Sequence, residues 1–241
     1  MLDPAAASDL SPSIDGNRLE KYADDTYLIV PPGNSHLIVD ELANIQIWAK
    51  RNNLNLNDSK TKELVVRRPR TKANTLPTPL VGVERVDVMN VLGVLIDGRL
   101  SFREHIDWIS TKSAQSLYAL RNLRAHGLWT VTEATLISRI TYASQSWWGF
   151  IGSGDLQRIE SVIRRVTRQG FLAPDRPDFV HRCAVADSTL INQVLSNRLH
   201  HLLPDVKKSG YHLRPRAHDR VIPHADSLLR KTFIHRSLNS K

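Results

Sequence analysis

The chain has 241 residues, a formal net charge of +9 and an isoelectric point near 9.9. It is long enough for one large domain or two small ones, and its field favours polyanions over acidic substrates. Cys183 is its single cysteine, which excludes an internal disulfide framework and a zinc site built on paired cysteines. There is no run of about 18 apolar residues and no basic-then-apolar N-terminal pattern, so the expectation is an intracellular, non-secreted protein, nucleus included, with nucleic acid as leading partner and no membrane.

Residues 1–18 mix Pro, Ser, Asp and small residues without a period and read as a flexible leader. Tyr27–Val30 are bulky and partly β-branched, and Pro31 and Pro32 stop them; the spacing predicts a strand after a tight turn at Asp24 and Asp25. Leu37, Ile38, Leu42, Ile45 and Trp48 recur at helical spacing, predicting an amphipathic helix over 34–51. A strand is expected at 62–68, an exposed Pro- and Thr-rich connection after it, and two short strands turning around Met89 and Asn90.

The second half reads as helical. "SFRE" (101–104) and "TVTE" (130–133) match the capping box, in which a hydroxyl covers the amide three residues on and the Glu reaches back. The first predicted helix is carried by Phe102, Ile106, Ile109, Leu117, Leu120 and Leu123, the second by Leu136, Ile140, Ala143 and Trp147. A third spans 155–169, with Leu156, Ile159, Val162, Ile163 and Val166 on one arc and Arg158, Arg164, Arg165 and Arg168 on the opposite one. A fourth is expected over 187–203, ended by Pro204. From Lys207 onward nine Lys and Arg face only Asp219 and Asp226, so most of the net charge sits in a basic, partly disordered tail.

Asp24 and Asp25 raise the main chemical question. Adjacent carboxylates repel, and a divalent ion relieves that repulsion; magnesium takes carboxylate and phosphate oxygens together. A solvated surface turn is the plainer alternative. Their surroundings decide the reading. "YADD" within "LEKYADDTYLIV", then a helix, then "LNLNDSKTKELVV", then "VLGVLIDGRLSFREHI" resembles the later palm motifs of reverse transcriptases from non-LTR, LINE-like retrotransposons, over about residues 18–125. The remainder, including "RITYASQSWWGF" and "SGYHLRPRAHD", is similar to the thumb and C-terminal segments that follow such palms.

The resemblance implies an α+β fold: a truncated polymerase palm of antiparallel hairpin strands plus helix over 19–100, an α-helical thumb-like bundle over 101–206, and the tail over 207–241. It makes Asp24 and Asp25 ligands of Mg2+ or Mn2+, and places Tyr22 and Ala23 at the primer end. Asn57, Lys60 and Thr61 match the next motif, whose lysine donates a proton to departing pyrophosphate; Lys60 is the choice for this role and Lys62 the second. Leu92, Gly93 and Asp97 match a turn that grips the primer. RNA template, DNA primer and deoxynucleotides are the implied partners of the parent enzyme. A third aspartate, from a strand upstream, completes the metal site in this family; only 21 residues precede Tyr22 here, and Asp3, Asp9 and Asp15 lack its strand-like setting. The expectation is therefore a fragment inactive alone, its open sheet edge suited to another chain that supplies the missing palm and fingers. A non-catalytic nucleic-acid binder derived from such an enzyme is the alternative.

The arginine arc of the third helix suits a phosphate backbone or plain solvent. Trp147 has core spacing, whereas Trp148 is open to core packing or base stacking. His181 with Cys183, and His200 with His201, do not complete a zinc ligand set.

Overall fold

The computed structural model describes residues 9–68, 76–124, 133–196, 203–206, 220–221, 224 and 226–239. The chain is mixed α+β, with small strand pairs, and forms two compact units, Met1–Asp87 and Val88–Lys241. Among the described residues no helix is long and apolar enough to cross a membrane.

In the first unit β1 (Arg18–Tyr22) and β2 (Asp25–Ile29) form an antiparallel hairpin, Leu19 opposite Leu28 and Tyr22 opposite Asp25. After β2, Pro32 fixes φ for a short 3-10 helix of two turns, Pro32–Leu37, so helix α1 begins later than the periodicity predicts, at Ile38–Arg51. Helix α1 buries Ile45 and Ala49 together with one carboxylate, Glu41. Glu41 is completely buried, and it accepts hydrogen bonds from Ser13 N (2.8 Å), Ser13 Oγ (3.1 Å), Ile14 N (3.1 Å) and Asn17 Nδ2 (2.8 Å). Trp48 Nε1 also donates to Asp9 Oδ1 (3.2 Å), and Lys21 Nζ to the Leu10 carbonyl (2.5 Å). Residues 9–17, inside the stretch expected as leader, are thus tied to α1 and the hairpin.

The strand expected over 62–68 is only β3 (Lys62–Glu63), paired in parallel with β4 (Glu84–Arg85). Among the described residues no strand pairs with its apolar run 64–66. Arg85 holds the intervening connection: its guanidinium forks onto Glu63 (2.8 and 3.0 Å) and donates to the carbonyls of Pro77 (2.7 Å) and Thr78 (3.1 Å).

The second unit begins with the antiparallel hairpin β5 (Val88–Val91) and β6 (Val94–Asp97). Its turn lies at Leu92–Gly93, not at Met89–Asn90. Both turn residues have positive φ (49° and 86°), as a two-residue I′ turn requires, and Gly93 N donates to Asn90 Oδ1 (2.9 Å). Gly93 has a second constraint, since a Cβ there would lie 3.2 Å from the Tyr142 ring, whose hydroxyl donates to the Leu92 carbonyl at 3.0 Å.

Helix α2 (Arg103–Arg124) starts one residue later than the Ser101 box predicts, because Phe102 takes a positive φ of 56°, and another residue covers its approach. Asp97 accepts from Arg99 N (2.7 Å), Ser101 N (2.9 Å), Ser101 Oγ (2.9 Å) and Phe102 N (2.8 Å), whereas Ser101 Oγ reaches Arg103 N only at 3.4 Å. The second expected box falls partly outside the described residues. The helix predicted through Leu136 and Trp147 is interrupted: a π turn (Glu133–Ile137), α3 (Ser138–Thr141), a break at Ala143 with φ 47°, α4 (Ser144–Trp147) and a 3-10 turn (Trp148–Phe150). Helices α5 (Ser153–Arg168) and α6 (Phe179–Ser196) follow. Helix α6 starts before the expected Asp187 because the apolar face already repeats at Phe179 and Cys183, both fully buried. Residues 197–202, through which that helix is expected to run, lie outside the described residues, as does much of the basic tail; Leu203, its expected last residue, is not helical.

Val94, Phe102, Ile106, Leu136, Trp147, Ile159, Ile163 and Phe179 belong to one core. Each buried aliphatic side chain there stabilises by roughly 1.5–3 kcal/mol. Trp147 is fully buried between His105 and Phe179, its Nε1 donating to the Tyr142 carbonyl (3.0 Å), which meets the core expectation. Trp148 is engaged as well: Nε1 donates to Asp187 Oδ2 (3.0 Å), and Arg236, from α7 (Phe233–Asn239), lies 4.7 Å above its ring while pairing with the same carboxylate at 2.9 Å.

Candidate catalytic hairpin and cationic surface

The two-residue loop of the first hairpin is Ala23–Asp24, closed by the Tyr22–Asp25 pair. The turn therefore sits one residue earlier than expected, and Asp25 is the first residue of β2. Asp24 occupies the tip and Asp25 the strand edge, both exposed. Cross-strand pairing puts Tyr22, Asp25, Glu20 and Tyr27 on one face; the Tyr27 hydroxyl donates to Asp25 Oδ2 at 3.3 Å, and Tyr22 is 65% exposed. The hairpin thus presents Asp25 on the tyrosine face and Asp24 at the tip, from a base held by Lys21 and residues 9–17.

Ala23 has φ 53°, a left-handed conformation that costs an L residue roughly 1–2 kcal/mol. Strain of this kind concentrates where backbone geometry serves a site. Ala23→Gly is expected to relieve it, raising stability by about 0.5 kcal/mol after the added freedom of the unfolded chain is deducted. An unchanged or lowered urea midpoint would count against a strained tip.

Lys60 stands in a turn organised by Asn57. The Asn57 carbonyl accepts from Lys60 N (3.0 Å), Thr61 N (3.1 Å) and Thr61 Oγ1 (3.0 Å), while its side-chain oxygen accepts from Ser59 Oγ (2.7 Å) and Lys60 N (3.2 Å). This explains Asn and Thr at those positions and leaves the Lys60 ammonium exposed. Lys62 is paired instead with Glu84 at 3.0 Å. No hydrogen bond or ion pair among the described residues joins either lysine to Asp24 or Asp25.

Among the described residues no three His, Cys, Asp or Glu side chains gather to hold a metal ion. Magnesium, however, commonly takes one or two protein carboxylates and fills its octahedron with water and substrate phosphate. Asp24 and Asp25 fit that share in donor type and exposure.

On α5 the arginines separate into two kinds. Arg158 forms an ion pair with Asp107 of α2 and donates to Asp155 at 3.1 Å. Arg164, Arg165 and Arg168 are exposed, with no ion pair to another described residue. The Asp155–Arg158 spacing of three residues was a readable sign of this pairing; the Asp107 partner, on a different helix, left no local signal. Gly93 lies at the second hairpin turn, where Tyr142 joins it, a residue that sequence reasoning did not assign to any site. Compared with protein-family models, curated proteins and solved structures, the chain matches none.

Proposed function

We propose that the first unit carries the later part of a reverse-transcriptase palm derived from a non-LTR retrotransposon, and that the second unit opens with its primer-side turn and continues as a thumb-like bundle. The observation that carries this reading is the hairpin tip, where Tyr22-Ala23-Asp24-Asp25 projects paired carboxylates from a two-residue turn. In this reading Asp24 and Asp25 would hold a divalent ion, whose contribution when bound would be to neutralise the negative charge of a phosphoryl group in transfer. Tyr22 and Ala23 lie against the primer end, and Gly93 supports the primer strand. Lys60 places its ammonium beside the triphosphate and donates a proton to departing pyrophosphate. RNA template, DNA primer and deoxynucleotides are the substrates of the complete enzyme. The family's further metal-binding aspartate and nucleotide-binding fingers have no matching motif within these 241 residues.

Two measurements test the proposal. Manganese titration followed by electron paramagnetic resonance should report binding that weakens at least about tenfold in Asp24→Asn, as expected when one of two ligating charges is removed. Equal binding by the variant would remove the catalytic reading. Primer extension by the 241-residue chain alone should be undetectable with template, deoxynucleotides and magnesium or manganese; Asp24-dependent extension would show that the chain is self-sufficient. A second reading, a nucleic-acid binder without catalysis, is favoured by the exposed Arg164, Arg165 and Arg168, and predicts oligonucleotide binding indifferent to Asp24→Asn.

A further inference from the structure

Arg158 and Arg165 stand two turns apart on α5 and line the same groove of about 210 Å3 against α2, together with Ser110, Ala114, Leu117, Ser161 and Val162. The residues that meet give the helices' relative direction. Asp107 reaches Arg158 near the start of both helices, while Leu117 and Arg165 line the groove further along both, so α2 and α5 run the same way. Their charges are not uniform along it. At the starting end Arg158 faces Asp107 and Asp155, a set with one net negative charge. Towards the far end Arg165 is exposed on the lip, Arg168 follows three residues later, and Arg121 lies one turn beyond Leu117 on α2, exposed. None of these three has an ion pair with a described residue. The Ser110 hydroxyl oxygen, buried in the groove wall, also has no hydrogen-bond partner among the described residues.

We propose that the far end of this groove seats a nucleic-acid phosphodiester through Arg165, Arg168 and Arg121, and that Arg158 is a positioning residue that fastens α5 to α2 without touching phosphate. The proposal rests on the nucleic-acid reading above and narrows it to particular side chains. A guanidinium already shared by two carboxylates has its fork directions taken and its charge overbalanced, so a phosphate approaching it meets net repulsion. Guanidinium groups without such partners release counterions from the polyanion when they bind.

Salt dependence separates the two roles. Binding of the full chain to a fluorescent single-stranded 20-mer and to a duplex is measured by anisotropy from low to physiological salt. Each true phosphate contact contributes roughly 0.7 to 0.9 to the slope of log affinity against log salt. Arg165→Gln, Arg168→Gln and Arg121→Gln should each flatten the slope by about that amount. Arg158→Gln should leave the slope unchanged, and Asp107→Asn with Asp155→Asn should steepen it by releasing Arg158 to the phosphates. Flattening by Arg158→Gln equal to that of Arg165→Gln overturns the assignment.

A wild-type chain that binds neither oligonucleotide overturns the nucleic-acid reading and the phosphate seat with it. The fastening role is then decided by thermal unfolding. Arg158→Gln should lower the midpoint by about 1–3 °C, with Asp107→Asn adding little on top; strictly additive losses would show that the pair does not couple the helices.

Discussion

Asp97→Ala is expected to destabilise the Val88–Lys241 unit by about 3 kcal/mol, since a buried carboxylate accepting several hydrogen bonds is removed and its donors are left without an acceptor. The loop it organises cannot easily compensate. Leu100 and Phe102 both have positive φ (54° and 56°), a strained arrangement for bulky L residues. Asp97 holds both by accepting from the amides around them, and Phe102 in turn enters the core at the base of α2. Loss of the carboxylate therefore releases strain in the loop and loosens the first turn of a long helix together. Asp97→Asn, which keeps one acceptor oxygen, should lose less.

The same group gives a pH signature. Burial pushes the Asp97 carboxyl up, but hydrogen bonds from Arg99 N, from the hydroxyl and amide of Ser101, and from Phe102 N outweigh it and hold the group below its ordinary value of 3.8. A carboxylate with a depressed folded-state pKa contributes stability that is fully present above the unfolded value and is lost as pH falls through the folded one. Acid unfolding on the low side of the ordinary carboxylate range should therefore carry a contribution that Asp97→Asn lacks. Urea unfolding at neutral pH and near pH 3, compared for both chains, gives the result. A variant whose stability falls in parallel with wild type across that range would contradict the assignment.

The first hairpin was legible in the sequence because a bulky, partly β-branched run, Tyr27–Val30, follows a short acidic turn and is stopped by Pro31 and Pro32; its register was displaced by one because nothing local announces that an alanine takes positive φ. The turn of the second hairpin had a better signal in Gly93 than in Met89 or Asn90, and Asn90 acts through its side chain, as a partner of the Gly93 amide. Leu136, Ile140 and Trp147 were correctly read as buried, because burial follows helical spacing even across a broken helix. The break at Ala143 stands next to Tyr142, which reaches back to Leu92, a contact 50 residues away that leaves no local signal. Asp97 and Glu41 were the least legible, since a buried carboxylate looks like any surface acid until the donors that surround it are known.

Glu41→Gln is the counterpart in the first unit, with an expected loss of about 2–4 kcal/mol. Burial pushes the Glu41 carboxyl up, yet hydrogen bonds from Ser13 N, Asn17, Ile14 N and the Ser13 hydroxyl together hold it below 4.5, so it is ionised in the neutral range and its stabilisation also fades on the acid side. Ser13 meets one carboxylate oxygen, and Ile14 and Asn17 meet the other. An amide has one oxygen and one NH2, so whichever way the substituted side chain turns, a donor faces donors in a fully buried place. The cost does not stay in α1. Asn17 immediately precedes β1, so the segment set free is the one from which the Asp24 hairpin springs. Amide hydrogen exchange over residues 18–29 should quicken in Glu41→Gln by a larger factor than exchange within α1, and the manganese binding proposed for Asp24 and Asp25 should weaken with it. Unchanged exchange in the hairpin would mean that the tip is held by its own strand pairing, and that the buried carboxylate anchors only the chain before it.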